Sequence, residues 1–182
     1  MRVDVHCHLN HKRFSEDIKE VVERARAAGV KRVICAGTNP VTNRQVHELA
    51  KKYDILRCSF GAYPHDVIGG TDFGDEEPGL TVESPFDLDK EIARWKTMPE
   101  AFIAVGEIGM DFSHGRDSEE VQRENFRKVL AAAHELGKPV VVHTRQAERE
   151  CIEELKNSAL DNNKIVLHCF GGRKSIIKDA AS

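Results

Sequence analysis

At 182 residues, 40% hydrophobic and 31% charged, the chain has the make-up of one soluble globular domain with a substantial core. A net charge of -3 excludes a global basic footprint, so any contact with nucleic acid must be local. No apolar stretch approaches the length of a membrane span, and Asp4 interrupts any signal-peptide reading of the N-terminus.

The first predicted strand is VDVHCHL (3–9). Its period of two puts Asp4, His6 and His8 on one face and Val3, Val5, Cys7 and Leu9 on the other. By itself that pattern fits either a half-exposed strand or a site. A helix follows over 16–29, capped by Ser15 and stopped at Gly29, and then a strand at RVICAGT (32–38). Helix 42–53, with Thr42 as its cap, leads to strand ILRCSFGA (55–62), which runs out into Tyr63, Pro64 and His65. Residues 66–87, rich in Gly, Pro and acid, are too long for an ordinary connection and are expected to be a loop insertion. Next come helix 87–98 behind Asp87, strand FIAVGEIG (102–109), and helix 118–137 between Ser118 and Gly137. Strands PVVVHT (139–144) and KIVLHCF (164–170) complete the series. Strand and helix in alternation mean right-handed βαβ units and a parallel sheet, and VVV (140–142) suits a strand covered on both faces.

Five cysteines (Cys7, Cys35, Cys58, Cys151 and Cys169) form no C-x-x-C pair, and three sit in apolar runs. They are expected to be reduced thiols of a cytoplasmic protein, with Cys7 and Cys169 in the core.

The chemistry is signalled by where the polar residues fall. His6 and His8, His65, Glu107, His143 and His168 lie at or just beyond the C-terminal ends of predicted strands. Parallel α/β folds build their sites at those ends. Burying Glu107 alone, between A-V-G and I-G-M, would cost several kcal/mol of hydration, which a cation would offset. Histidine and carboxylate together suit zinc, manganese and similar divalent ions. Singly, His143 or His168 fits a hydrogen-bonded core histidine equally well, and His65 a loop residue. His11, His47, His114 and His134 are expected at the surface.

The blocks D-V-H-C-H-L, G-A-Y-P-H, A-V-G-E-I-G-M-D-F, P-V-V-V-H-T-R and L-H-C-F-G-G resemble, in this order, the signatures of the TatD family of metal-dependent hydrolases. That family belongs to the amidohydrolase-like superfamily of TIM barrels. Tyr63 stands where the family usually has His, and Met110 and Phe112 replace the commoner Leu and Tyr. The resemblance implies an α/β, TIM-barrel-like fold carrying two divalent ions, of zinc, manganese or magnesium. His6 and His8 would hold one ion, His143 and His168 the other, and Glu107 would bridge them. Catalysis would fall to Glu107, with His65 and Arg145 contacting phosphate. The implied substrate is DNA, single-stranded or at its 3′ ends, with no membrane involved.

The family's last acidic residue, in a context like E-T-D, has no counterpart in G-G-R-K-S-I-I-K-D-A-A-S, and Asp179 falls in a predicted helix. Six strands are predicted where a (βα)8 barrel has eight in roughly 250 residues. The expectation is a truncated chain, one completed by self-association or a second chain, or a rearranged barrel, with weakened metal binding and low activity. Three functions are therefore weighed: a metal-dependent deoxyribonuclease, a hydrolase of an ester or amide such as D-aminoacyl-tRNA, and a non-catalytic form that binds metal or nucleic acid.

Overall fold

The computed structural model describes residues 1–69, 80–81 and 84–181. Six strands form one parallel sheet in sequence order: β1 (Arg2–Cys7), β2 (Val30–Ala36), β3 (Leu56–Phe60), β4 (Ala104–Gly109), β5 (Val140–His143) and β6 (Ile165–Leu167). Between them run α1 (Ile18–Ala27), α2 (Pro40–Lys52), α3 (Pro64–Ile68), α4 (Leu88–Thr97), α5 (Glu119–Glu135) and α6 (Glu148–Asn157), with α7 (Lys174–Ala180) after β6. The sheet curls: the ring of His6, on the first strand, stacks on that of His168, just past the sixth, with centroids 3.9 Å apart. The parallel α/β sheet is the one expected from the strand–helix alternation, and its barrel-like curl is what the family resemblance implied.

The core lies between the sheet and its helices. Trp95 of α4 and Phe126 and Val129 of α5 pack on Phe102, Val105, Ile108, Val140 and Val142. A smaller cluster of Val22, Val33, Ile55 and Leu56 is sealed by α1. Each such side chain contributes about 1.5–3 kcal/mol of transfer free energy. The outermost strands are less covered, and Val3 and Val5 of β1 and Val166 of β6 are exposed. No helix of the described residues is long and apolar enough to cross a membrane.

Several expectations need correction. Helix α2 starts at Pro40 and is capped by Asn39, whose Oδ1 accepts from the amides of Val41 and Thr42 while Thr42 Oγ1 accepts from the Asn39 amide. The reciprocal pair and a proline in the first turn fix the start two residues before Thr42. Ser15 ends a short 3-10 turn instead of capping α1, which begins after Asp17. Helix α6 is an element the apolar spacing did not announce. The inserted stretch begins as a helix, α3, while its residues 70–79 and 82–83 lie outside the described residues. His11 is buried at 6% exposure, because its Nδ1 accepts from the Arg13 amide and caps the turn. His47 is half-buried, donating through Nδ1 to the Ala101 carbonyl at 3.1 Å. Cys169 is exposed and not in the core, since β6 ends at Leu167 and the chain turns through a positive φ of 46° there.

Candidate metal centre

Glu107 is the hub of the site. It sits on β4, whose six residues are all buried, and is 5% exposed. Its backbone is held by neighbouring strand ends: the Glu107 amide donates to Gly37 O, and its carbonyl accepts from the Ala62 amide, both at 2.9 Å. Gly61 is required there, because a Cβ would run into Gly37 O and the Glu107 backbone. Asn43 of α2 fixes that same glycine, accepting from its amide at 2.8 Å and donating to its carbonyl at 3.0 Å.

Four imidazoles face the Glu107 carboxylate. His143 Nδ1 and His168 Nε2 each lie 2.8 Å from Oε1, while His6 Nε2 and His8 Nε2 lie 3.4 and 3.3 Å from Oε2. They arrive from the ends of β1, β5 and β6, where the strand pattern predicted them. These contacts hold the Glu107 carboxyl well below the usual carboxylate range, although burial pushes the other way. His6, Glu107 and His168 form a donor set able to hold an ion, their ligand atoms all lying within 4.8 Å of one another.

The donor chemistry fits a cation. His8 donates through Nδ1 to the Ala36 carbonyl at 3.0 Å, so in the neutral ring Nε2 carries a lone pair. That nitrogen faces both Glu107 Oε2 and, at 3.2 Å, His6 Nε2. A cation placed between them would meet the His8 lone pair and the Glu107 carboxylate oxygen. Imidazole nitrogens and a carboxylate oxygen are ligands for zinc and its neighbours.

Asp111 was not foreseen. Completely buried just beyond β4, it bonds His143 Nε2 at 2.7 Å and accepts from the Tyr63 hydroxyl at 2.8 Å. Burial lowers the His143 pKa, but Asp111 and Glu107 outweigh it and raise the ring to about 9. Its sequence traces were an Asp set between Met110 and Phe112, an apolar setting as unusual as that of Glu107, and its place in the A-V-G-E-I-G-M-D-F block. His65 turns to this second carboxylate, with Nε2 3.6 Å from Asp111 Oδ1, and is 6% exposed. Arg145 is exposed, two residues past His143. Gly109, between the two acids, has φ +137° and would press a Cβ into the His143 carbonyl, so β4 and β5 approach as only glycine allows.

An open barrel of βα units with a histidine–carboxylate cluster at its strand ends is the architecture of a metal-dependent hydrolase. The sequence profile described as TatD related DNase matches residues 3–182, and the chain belongs to that family. An "uncharacterized metal-dependent hydrolase YabD" of Bacillus subtilis is 28% identical over 98% of this chain and 64% of its own length. A "3′-5′ ssDNA/RNA exonuclease TatD" of Klebsiella pneumoniae is 32% identical over 97% of this chain and 61% of its own. The crystal structure of YJJV, a TatD homologue from Escherichia coli K12, superposes with a TM-score of 0.81 at 27% identity. That match covers 99% of this chain and 64% of the other. The chain thus spans a little over three-fifths of these relatives' length.

Proposed function

We propose that the cluster is the metal centre of a divalent-metal-dependent hydrolase that cleaves phosphodiester bonds in DNA, with single strands or 3′ ends as substrate. The observation that carries this reading is the convergence of four imidazoles, from three strand ends, on one buried carboxylate. His6, His8, His143, His168 and Glu107 would hold the metal, two ions of zinc, manganese or magnesium in this reading, with Glu107 offering one oxygen to each pair of rings. Bound there, a divalent cation supplies Lewis acidity, polarising an ester oxygen and making water nucleophilic near neutral pH.

The chain's own residues do the rest. Glu107 balances positive charge in a setting where little water competes. Arg145, exposed two residues past His143, would offer phosphate the bidentate hold that guanidinium suits. His65, 6% exposed with Nε2 3.6 Å from Asp111 Oδ1, would be the second phosphate contact of the proposal. The free thiols suit a cytoplasmic setting.

The test is cleavage of a single-stranded oligonucleotide with manganese or magnesium, run beside a charged tRNA. Cleavage of the oligonucleotide that Glu107→Gln abolishes is the expected result. Cleavage of the tRNA ester alone would move the function to acyl hydrolysis. No hydrolysis by a chain shown to have taken up metal would contradict the enzyme reading.

A further inference from the structure

We propose that Asp111, gripped by Tyr63, is a positioning residue that locks the His143 ring with Nε2–H turned away from the metal centre and Nδ1 turned towards Glu107. Its consequence for metal affinity rests on the metal-centre reading above; the ring orientation itself does not.

Asp111 is immobilised from every side. Its amide donates to Gln122 Oε1 at 2.8 Å and its carbonyl accepts from Gln122 Nε2 at 2.9 Å, so a buried glutamine of α5 brackets the peptide. On the side chain, Oδ1 accepts from the amide and hydroxyl of Ser113, and Oδ2 accepts from Tyr63 Oη and His143 Nε2. A carboxylate left alone in this interior would cost several kcal/mol. One so fully supplied with donors is instead a fixed acceptor of defined direction.

That direction decides what His143 can do. Asp111 can only accept, so the 2.7 Å contact puts a proton on Nε2. The ring's other nitrogen, 2.8 Å from Glu107 Oε1, is then the one that joins the donor cluster. The Tyr63 ring adds a second restraint by packing edge-on against His143, with centroids 5.1 Å apart. The carboxylate–histidine–metal pattern orients ligand rings and raises their basicity in metal sites generally. Tyr63, the position where the chain departs from its family's usual histidine, is here the group that pins the carboxylate.

The test uses the full chain, the zinc ion alone and a competing chromophoric chelator. Asp111→Asn keeps the shape and loses the charge, and should weaken zinc by about 10- to 100-fold, the range typical of losing such an outer partner. Tyr63→Phe should weaken it by a smaller factor. In parallel, nitrogen-15 NMR of the metal-free chain should show the His143 Nε2 proton coupled and shifted downfield, and Asp111→Asn should shift it back. A purely structural Asp111 would lower thermal stability without moving either readout. Zinc affinity within twofold of the unmodified chain in Asp111→Asn, or a His143 ring without a proton on Nε2, would overturn the proposal. Should Asp111→Asn fail to fold, Tyr63→Phe and the unmodified chain's NMR signal decide it. If the unmodified chain takes up no zinc, the metal-centre reading fails, and the NMR signal still judges the ring's orientation.

Discussion

Replacing Glu107 with glutamine changes almost nothing in shape and removes the one charge shared by four imidazoles at 2.8–3.4 Å. A metal that binds only the folded chain, at 100 times its dissociation constant, stabilises it by about 2.7 kcal/mol. For a chain of this size each kcal/mol raises the melting temperature by about 2–4 °C, so saturating zinc should add about 5–11 °C. Losing an outer-shell partner weakens metal binding by about 10- to 100-fold, and losing the hub should cost at least the upper end of that range. At the same zinc concentration the variant then sits near its dissociation constant, gains only about 0.4 kcal/mol, and shifts by about 1–2 °C. Thermal melts of both proteins with and without zinc measure this directly, and comparing shifts rather than absolute temperatures cancels any change in intrinsic stability. A Glu107→Gln protein whose zinc-induced shift equals that of the unmodified chain would refute the reasoning.

Asn43→Ala should strip both polar groups of the Gly61 peptide of their partner and take one donor from the buried Glu91. At about 1–3 kcal/mol per stranded buried group the loss should reach at least about 2 kcal/mol, read as a fall of about 4 °C or more in the melt. Glu154 is 3% exposed and bonds Arg127 Nε and Arg123 Nη1 at 2.6 Å each. Burial pushes its carboxyl up, but the two guanidiniums outweigh that and hold it below the ordinary 4.5. Glu154→Ala should therefore cost about 1–3 kcal/mol at pH 7, less than a fully buried pair because Arg127 is half-exposed. A depressed carboxyl stabilises above its unfolded pKa, so the difference from the unmodified chain should be full above about pH 4.5 and shrink below it in pH-dependent denaturation. A difference that grows on acidification would contradict the pairing. Among the thiols, Cys169 is exposed, Cys35, Cys58 and Cys151 are buried, and burial pushes Cys58 up to about 12. Alkylation followed by mass spectrometry should find Cys169 modified well before those three.

The strands were legible because β-branched apolar runs mark covered parallel sheet, and the histidines because, although each alone has a bland explanation, they recur at equivalent ends of several strands. Glu107 stood out for the same reason. Asp111 did not, since its importance depends on His143, which only the pairing of β4 with β5 brings within reach. Helix α6 escaped notice for an electrostatic reason. Its inward face carries Glu154, paired with Arg123 and Arg127 of α5, so a buried charge interrupts the apolar period that announces a helix. Asn39 lost to Thr42 as the expected cap because both belong to one reciprocal hydrogen-bonded pair. His11 was misjudged because its ring serves as a cap, a local use no hydrophobic pattern records.

Anomalous X-ray diffraction from crystals grown with zinc tests the central claim most directly. Anomalous density should lie about 2.0–2.2 Å from donor atoms of Glu107 and of His6 or His168. Density only at the exposed histidines, or none in a crystal whose fluorescence spectrum shows zinc, would contradict the account.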